Sequence, residues 1–182
     1  MQTRRCLPIA LLVLLVVAVR ALAVEPIPRE WGPFRGQVVD LETEQPIAGA
    51  VMLVVWLEVY GFGFAGHRFY DAREAVTDAD GRFEIPKLTV PPWKVGVQAP
   101  SFHLFAPGYE PYTDIVTPVS GRVFIEPTVS QMRRLKSRGD RLRNLDGYPP
   151  SIPAAKMPHM LGRVNSERQS LGLKPITHGG ME

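Results

Sequence analysis

The sequence predicts a mainly β protein: a small antiparallel β-sandwich followed by a short helical tail. Between residues 34 and 127, short apolar runs rich in Val, Ile and Phe are separated by turn-forming Pro, Gly and Asp residues. This composition is typical of strands joined by tight turns. After residue 128 the apolar residues recur at helical spacing, and basic residues become frequent. No nucleotide-binding or hydrolase motif accompanies the pattern, so the fold is encoded more clearly than the activity.

The first 23 residues are predicted to be an export signal. Arg4 and Arg5 precede an apolar run of 13 residues from Leu7 to Val19, and Ala21-Leu22-Ala23 forms an A-x-A cleavage site. Because about 20 residues are needed to span a bilayer, an uncleaved membrane anchor is the weaker alternative. We expect a mature chain that begins at Val24 and is periplasmic or extracellular in a bacterium.

Cysteine content and charge set two further limits. The only cysteine, Cys6, lies in the predicted signal, so the mature fold has no internal disulfide and depends on its hydrophobic core. Residues 24–127 carry 8 basic and 14 acidic side chains, whereas residues 128–182 carry 10 basic and 4 acidic ones. This separation of charge predicts contact between the two parts of the chain or between neighbouring molecules.

Each strand is predicted from its local pattern. Residues 24–33 are Pro-rich and form an extended lead-in, after which Phe34–Asp40 alternates as a first strand. Pro46 and Gly49 argue against a helix in the second segment, Ile47–Tyr60, whose centre is apolar on both faces. We therefore expect a central strand that is covered on both sides. Later strands are expected at Arg68–Thr77, Arg82–Ile85, Trp93–Gln98, Phe102–Phe105, Ile115–Val116 and Val123–Ile125.

Two short helices are predicted in the tail. The first has Ser130 as its N-cap and is bent or broken at Gly139. Its apolar residues are Val129, Met132, Leu135, Leu142 and Leu145. The second ends at Gly172 and is marked by Met160, Leu161, Val164 and Leu171. Neither helix has enough apolar surface to be stable alone, so each is expected to pack on the sandwich or on a partner.

Four short motifs, taken in order along the chain, resemble those of carboxypeptidase regulatory-like domains. They are Gly36-x-Val38-x-Asp40, Pro46-Ile47-Ala48-Gly49-Ala50, Thr77-Asp78-x-x-Gly81-x-Phe83 and Ala106-Pro107-Gly108-Tyr109. The resemblance covers Phe34 to Pro127. It implies a seven-stranded, Greek-key, transthyretin-like (prealbumin-like) β-sandwich in which these motifs are structural and carry no active site.

One segment departs from that family pattern. In the family the Ala-Pro-Gly-Tyr turn follows the fifth strand directly, whereas here Ala99–Phe105 stands between them and is interpreted as an insertion. The helical tail also lies outside the family core. The predicted organisation is therefore a signal peptide at 1–23, an extended lead-in at 24–33, the sandwich at 34–127 and a basic helical tail at 128–182.

Aromatic residues and two histidines form the candidate binding site. One aromatic group flanks the glycines that follow the second strand, and another surrounds the turn at Gly108. Exposed aromatic residues at the rim of a sandwich would bind sugar rings, peptides or a partner subunit. The alternative is that they close the end of the sandwich or seat the tail. The candidates are Tyr60, Phe62, Phe64, His67, Phe69, Tyr70, Trp93, Phe102, His103, Tyr109 and Tyr112.

Metal binding and catalysis have little support in the sequence. His67 and His103 could meet in space, but a zinc site would need a third protein ligand. Asp78-x-Asp80-Gly81 is interpreted as a turn, because calcium requires about six to eight oxygen ligands and a loop that reaches a distal Glu. We therefore assign no catalytic residue, no metal ligand and no cofactor.

A basic patch occupies the first part of the tail. It fits an anionic envelope surface or an acidic protein, while nucleic acid is not an expected partner of an exported protein. The alternative is a solvated helix face that docks on the acidic part of the same chain. The patch consists of Arg133, Arg134, Lys136, Arg138, Arg141 and Arg143.

Together these observations predict an exported, non-enzymatic β-sandwich that acts as a protein-binding or assembly module at the bacterial cell envelope. The expected partner is another protein or a second copy of the chain. One alternative is a carbohydrate-binding module that uses the aromatic loops to hold a polysaccharide. A weaker alternative is a small metal-dependent hydrolase that uses His67 and His103.

Overall fold

The computed structural model describes residues 29–61, 66–115, 128–145, 148, 150 and 152–176. The predicted signal peptide at 1–23, the cleavage site, Phe62, Phe64 and the strand expected at Val123–Ile125 lie outside the described residues. The described strands are β1 (Arg29–Trp31), β2 (Phe34–Asp40), β3 (Val51–Tyr60), β4 (Gly66–Val76), β5 (Arg82–Ile85), β6 (Leu88–Val90), β7 (Ser101–Phe105), β8 (Tyr112–Ile115) and β9 (Thr128–Met132). The helices are α1 (Arg138–Arg143), a 3-10 turn (Ala154–Lys156) and α2 (Pro158–Ser170).

The protein is mainly β, as the sequence predicts, and its described strands form three sheets. The strand orders are β1-β6, β5-β2-β9 and β4-β3-β7-β8. β2 and β9 are parallel, and the other strand pairs are antiparallel. The two larger sheets share one buried core, in which the Phe34 ring of β2 meets Phe102 of β7 edge-on, with 5.0 Å between ring centroids. Such edge-to-face pairs join the sheets more specifically than aliphatic contact alone.

β3 is covered on both sides, which confirms the prediction from its two apolar faces. Met52, Val54 and Trp56 point into the core between the sheets. Val51, Leu53 and Val55 belong to a second core on the opposite face, where the tail contributes Met160 and Val164 of α2. The helical tail therefore forms a third layer on the four-stranded sheet.

The two predicted helices exist, but the first does not begin at Ser130. Thr128–Met132 is strand β9, which pairs in parallel with β2 from Gly36 to Asp40. Met132 is buried while Val129 and Gln131 are exposed, so this short segment alternates and gains a neighbouring strand. Tertiary pairing overrides the weak helical spacing there. The N-cap of α1 is Ser137, whose hydroxyl accepts the Asp140 N–H at 3.0 Å.

The end of the second helix is confirmed. α2 stops before Gly172, which has a φ of +76°, a conformation that favours glycine. The Leu173 N–H donates to the Arg168 carbonyl at 2.8 Å, and the Gly172 N–H donates to the Gln169 carbonyl at 3.0 Å. This is the Schellman arrangement expected for a helix that ends at glycine.

Two predictions between residues 24 and 98 are wrong. Residues 29–31 form β1 in a segment predicted as an extended lead-in, and Leu88–Val90, where no strand was predicted, pairs with it as β6. Trp93–Gln98 is a turn-rich loop, since Pro91, Pro92 and Gly96 break its alternation and only Val97 forms a bridge. Ser101–Phe105 is strand β7, which pairs with β3 from Val51 to Val55, so the strand expected at Phe102–Phe105 is confirmed.

Candidate binding rim

The loop between β6 and β7 is fixed to the end of β3 by backbone hydrogen bonds. The Val59 N–H donates to the Gly96 carbonyl and the Gln98 N–H donates to the Leu57 carbonyl, both at 2.9 Å. Inside the loop, the Lys94 N–H closes a turn on the Pro91 carbonyl at 3.0 Å. These bonds hold residues 94–98 as a continuation of the sheet edge.

Two residues, Gly96 and Arg29, make this loop geometry specific. A Cβ at Gly96 would stand 2.5 Å from the Val59 carbonyl oxygen, so only glycine allows the backbones to approach this closely. The Arg29 guanidinium donates to the carbonyls of Lys94 and Val97 and ties the loop to β1. The loop is thus held on two sides before any partner arrives.

Apolar side chains project from this fixed loop into solvent. Trp93 is 78% exposed and Val95 is 81% exposed, and Tyr60 at the end of β3 is 50% exposed. Trp56 is buried and Trp31 is partly buried against the core, so Trp93 is the exposed tryptophan among the three. Large apolar side chains at full exposure are unfavourable in water and mark interaction surfaces when they cluster.

Two cations bind one carboxylate beside these apolar groups. Lys94 Nζ lies 3.0 Å from Glu58 Oε1, and Arg68 Nη2 lies 2.9 Å from Glu58 Oε2. The hydrogen bond from Lys94, and then the one from Arg68, lowers the pKa of Glu58. Arg68 also lies over the Tyr60 ring, 5.8 Å from its centroid. We define the Trp93 rim as Tyr60, Arg68, Trp93, Lys94 and Val95.

The structure separates the predicted aromatic set into four groups. Tyr60 and Tyr70 face the cations of this rim, with Arg68 and Lys94 each 5.8 Å from the centre of the respective ring, and Trp93 precedes Lys94 in the fixed loop. Phe69 is partly buried and packs against the second core, between the four-stranded sheet and the tail, while Phe102 is buried in the core between the sheets. Tyr109 lies at the opposite end, and Phe62, Phe64 and the Tyr112 side chain lie outside what the structure describes.

The two histidines are not brought together. His67 pairs with Val59 and His103 pairs with Leu53, so six residues of β3 separate the two registers, about 20 Å along a strand. Burial lowers the pKa of His103. Among the described residues no group of three or more His, Cys, Asp or Glu side chains could hold a metal ion.

In the Asp78 turn the carboxylate accepts the N–H groups of Asp80 and Arg82 at 2.9 and 2.8 Å.

Half of the basic patch docks on the acidic part of the chain, at the end opposite the Trp93 rim. Arg134 Nε lies 3.3 Å from buried Asp40, and Lys136 Nζ lies 2.9 Å from Glu42. Arg133 lies 3.7 Å from Glu110, beyond hydrogen-bonding distance. A cavity of about 490 Å³ opens between these pairs and α1.

The other half of the patch binds within the tail. Arg141 makes a bidentate pair with buried Glu167 of α2 at 2.7 and 2.6 Å. Arg143 pairs with Asp140, and Arg138 donates to the Leu171 carbonyl at 2.8 Å. The six cations of the predicted patch therefore form two sets of internal contacts, one between the tail and the sandwich and one within the tail, where Arg138 and Arg141 join α1 to α2.

The contributions of Arg29, Arg68, Lys94 and Val95 were missed by sequence reasoning. Arg29, Arg68 and the adjacent pair Lys94 and Val95 are far apart in the chain and reach the same end of the sheet only because the loop joins the end of β3. The available signal was Pro91-Pro92 together with Gly96, which interrupts an otherwise alternating run and indicates a fixed loop rather than a strand.

Comparison with known protein families finds no family model that matches this chain, and comparison with characterised proteins finds none with significant sequence similarity. None of the helices among the described residues is long and apolar enough to cross a membrane.

Proposed function

We propose that this protein is a non-enzymatic binding module that engages a protein partner through the Trp93 rim. The observation that carries the proposal is the exposure of Trp93 and Val95 on a loop fixed by Arg29, Gly96 and the end of β3. A rigid loop loses little conformational entropy on association. An exposed tryptophan held in this way has the character of a binding hot spot.

Protein is favoured over polysaccharide by the chemistry of the rim. A sugar ring stacks on an aromatic face and needs hydrogen-bonding groups around it. Val95 is the most exposed of the large apolar side chains described, and its branched aliphatic surface has neither an aromatic face nor a hydrogen-bonding group for a sugar. Trp, Tyr and Arg are instead among the residues enriched at protein interfaces.

The proposal includes the carboxypeptidase regulatory-like, transthyretin-like sandwich as its scaffold. In support, β7 ends at Phe105 and leads directly into Ala106-Pro107-Gly108-Tyr109, so the chain has the strand-to-turn order of that family. Gly108 has a φ of +79° in this turn. The proposal also includes export by the N-terminal signal to the periplasm or the cell exterior, where the partner would be met.

The test compares the proteins that bind to the wild type and to three single-residue variants. Wild type, Trp93→Ala, Val95→Ser and Val129→Ser are immobilised and exposed to cell-envelope extract, and bound proteins are quantified by mass spectrometry. Val129 is the control because it is also a solvent-facing valine, 61% exposed, but lies on β9 away from the rim. A specific partner should bind wild type and Val129→Ser equally. Trp93→Ala should weaken its binding by about 30-fold, the effect of losing a hot spot of about 2 kcal/mol.

A fluorescence titration distinguishes the carbohydrate alternative from protein binding. Trp93 emission is measured on a panel of cell-wall and plant polysaccharides, with Trp93→Phe to remove the exposed fluorophore. A saturable shift with a glycan, lost in Trp93→Phe and unaffected by Val95→Ser, would favour the carbohydrate-binding module. If every bait retains the same proteins, or none, the protein-binding proposal is wrong.

A further inference from the structure

The charges at the Trp93 rim are unbalanced in a way that restricts its partner. In the described part of this end, Arg68 and Lys94 share one carboxylate, Glu58, and the Arg29 guanidinium donates to the Lys94 carbonyl. Glu58 is shared between Arg68 and Lys94, so it neutralises only one of them. The result is a local excess of positive charge beside exposed Trp93 and Val95.

The acidic residues described near the rim do not remove this excess. Glu30, next to Arg29, is bound by Lys87 at 2.9 Å on the side of β6. Asp71, next to Tyr70, is bound by Lys156 of the tail at 2.7 Å. Both carboxylates are therefore engaged by cations that lie outside the rim.

The cations of the rim are also held in position. Arg68 lies over the Tyr60 ring and Lys94 lies over the Tyr70 ring, each about 5.8 Å from the ring centre. Aromatic faces attract cations at this distance, so the charges stay at the border of the apolar surface. A partner that neutralises them would not have to order them first.

We propose that the partner of the Trp93 rim is an acidic protein segment with apolar anchors, in which Asp or Glu residues flank Leu, Phe or a similar side chain. This inference rests on the proposed function of the rim. The apolar anchor would cover Trp93 and Val95, and the flanking carboxylates would pair with Arg68 and Lys94. Complementary charges at an interface border raise the association rate and exclude partners of the wrong sign.

The experiment uses two synthetic peptides of equal length and equal Leu and Phe content, one with alternating Glu and the other with alternating Lys. Binding to the full protein is measured by fluorescence anisotropy in 50 mM and 500 mM NaCl. The acidic peptide should bind about tenfold more tightly at low salt, and the preference should shrink at high salt as screening increases. Arg68→Gln should reduce the preference by about threefold.

Arg35→Gln is the matched control, because the Arg35 side chain is about as exposed as that of Arg68 (58% and 56%) but pairs with Glu84, outside the rim. Equal binding of both peptides, or equal effects of Arg68→Gln and Arg35→Gln, would overturn the inference. If the envelope partner is still lost in Trp93→Ala but shows no salt dependence, the inference fails and the proposed function stands. If Trp93→Ala changes neither peptide nor partner binding, both fail.

A second copy of the chain is the other occupant that the experiment must exclude. Sedimentation velocity is run on wild type and Trp93→Ala over a range of concentrations. A monomer at all concentrations is expected. An increase in mass that disappears in Trp93→Ala would show that the rim binds another copy of the chain and would overturn the proposal of a separate acidic partner.

Discussion

Gly81 is the residue on which the turn between β4 and β5 depends. Its φ is +72°, and a Cβ there would stand 2.4 Å from the Val38 carbonyl oxygen of β2, the strand that pairs with β5. The Val38 N–H donates to the Gly81 carbonyl at 2.8 Å, so the turn and β2 are joined backbone to backbone. Glycine is required there by both conformation and space.

Comparing two glycines isolates the contribution of that close contact. Gly108 has a similar φ of +79°, but nothing lies within 4 Å of a Cβ built on it. Gly108→Ala should therefore cost only the backbone strain, about 1 kcal/mol, and Gly81→Ala should cost about 3 kcal/mol or more. Urea unfolding of both variants measures this. Equal losses would show that the contact at Gly81 relaxes freely.

Asp40 joins β2 to the end of the sheet where the tail enters. Its carboxylate accepts the N–H groups of Glu42 and Thr43 at 2.9 and 3.1 Å, and it also accepts the Tyr109 hydroxyl and Arg134 Nε. Chiefly because of the backbone hydrogen bond from Glu42, the pKa of Asp40 falls to about 2. The native state therefore favours the ionised form of this carboxyl.

A stability difference that depends on pH follows from that shift. A carboxyl with a lowered native pKa stabilises the fold above its unfolded pKa of 3.8, and this contribution is lost as the pH falls from about 4 to about 2. Asp40→Asn should be less stable than wild type at pH 7, and the difference should shrink below pH 4. The measurement is thermal unfolding between pH 7 and pH 2.5. Asp80→Asn, at an exposed turn, serves as the control, and a constant difference for Asp40→Asn would contradict the assignment.

At the scale of elements, the N-terminus of α2 is capped by a side chain of strand β4 rather than by the residue at the N-cap position. Its N-cap position is Met157, whose side chain makes no capping hydrogen bond. Glu74 of β4 instead accepts the N–H groups of His159 and Met160 at 2.6 and 2.9 Å. A carboxylate at the positive end of a helix satisfies two unpaired donors and interacts favourably with the helix dipole.

Removal of this cap should loosen α2 specifically. Glu74→Ala should lower the free energy of unfolding by about 1 to 2 kcal/mol, the usual value of a helix cap. It should also speed hydrogen exchange at the first turn of α2. Glu84→Ala provides the contrast, since Glu84 makes an exposed surface pair that contributes little. If the two variants exchange alike in α2, Glu74 does not hold the helix.

The elements that the sequence predicts well are those specified by local chemistry. β2, β3, β5 and the Gly172 end of α2 follow from alternation, two-sided apolar character and turn glycines. The errors concern pairing between distant segments. β9 forms because β2 offers a parallel partner, and β1 forms because Leu88–Val90 is beside it. The rim has the same origin, since the loop that carries Lys94 reaches Glu58 of β3 and Arg29 of β1 only in the folded chain.

At the scale of the whole molecule, the tail is a structural layer that the four-stranded sheet needs. The outer face of that sheet consists of buried apolar residues, among them Leu53, Val55 and Phe105, and α2 covers it with Met160 and Val164. Phe105 also packs against the Tyr148 ring, with 5.6 Å between centroids. An uncovered apolar sheet face of this kind promotes association.

A chain that stops after Lys136 tests this role of the tail. It keeps β9 and the Arg134–Asp40 pair but lacks α1 and α2. We expect it to aggregate or self-associate in sedimentation velocity. A chain that lacks only residues 177–182, which retains every described contact, should behave as wild type. Met160→Ala gives a milder version in the full chain: Met160 is completely buried, so the substitution should cost about 2 to 5 kcal/mol in urea unfolding. A soluble, monomeric truncated chain that unfolds like the full protein would mean that the tail is an accessory and that the sandwich is stable without it.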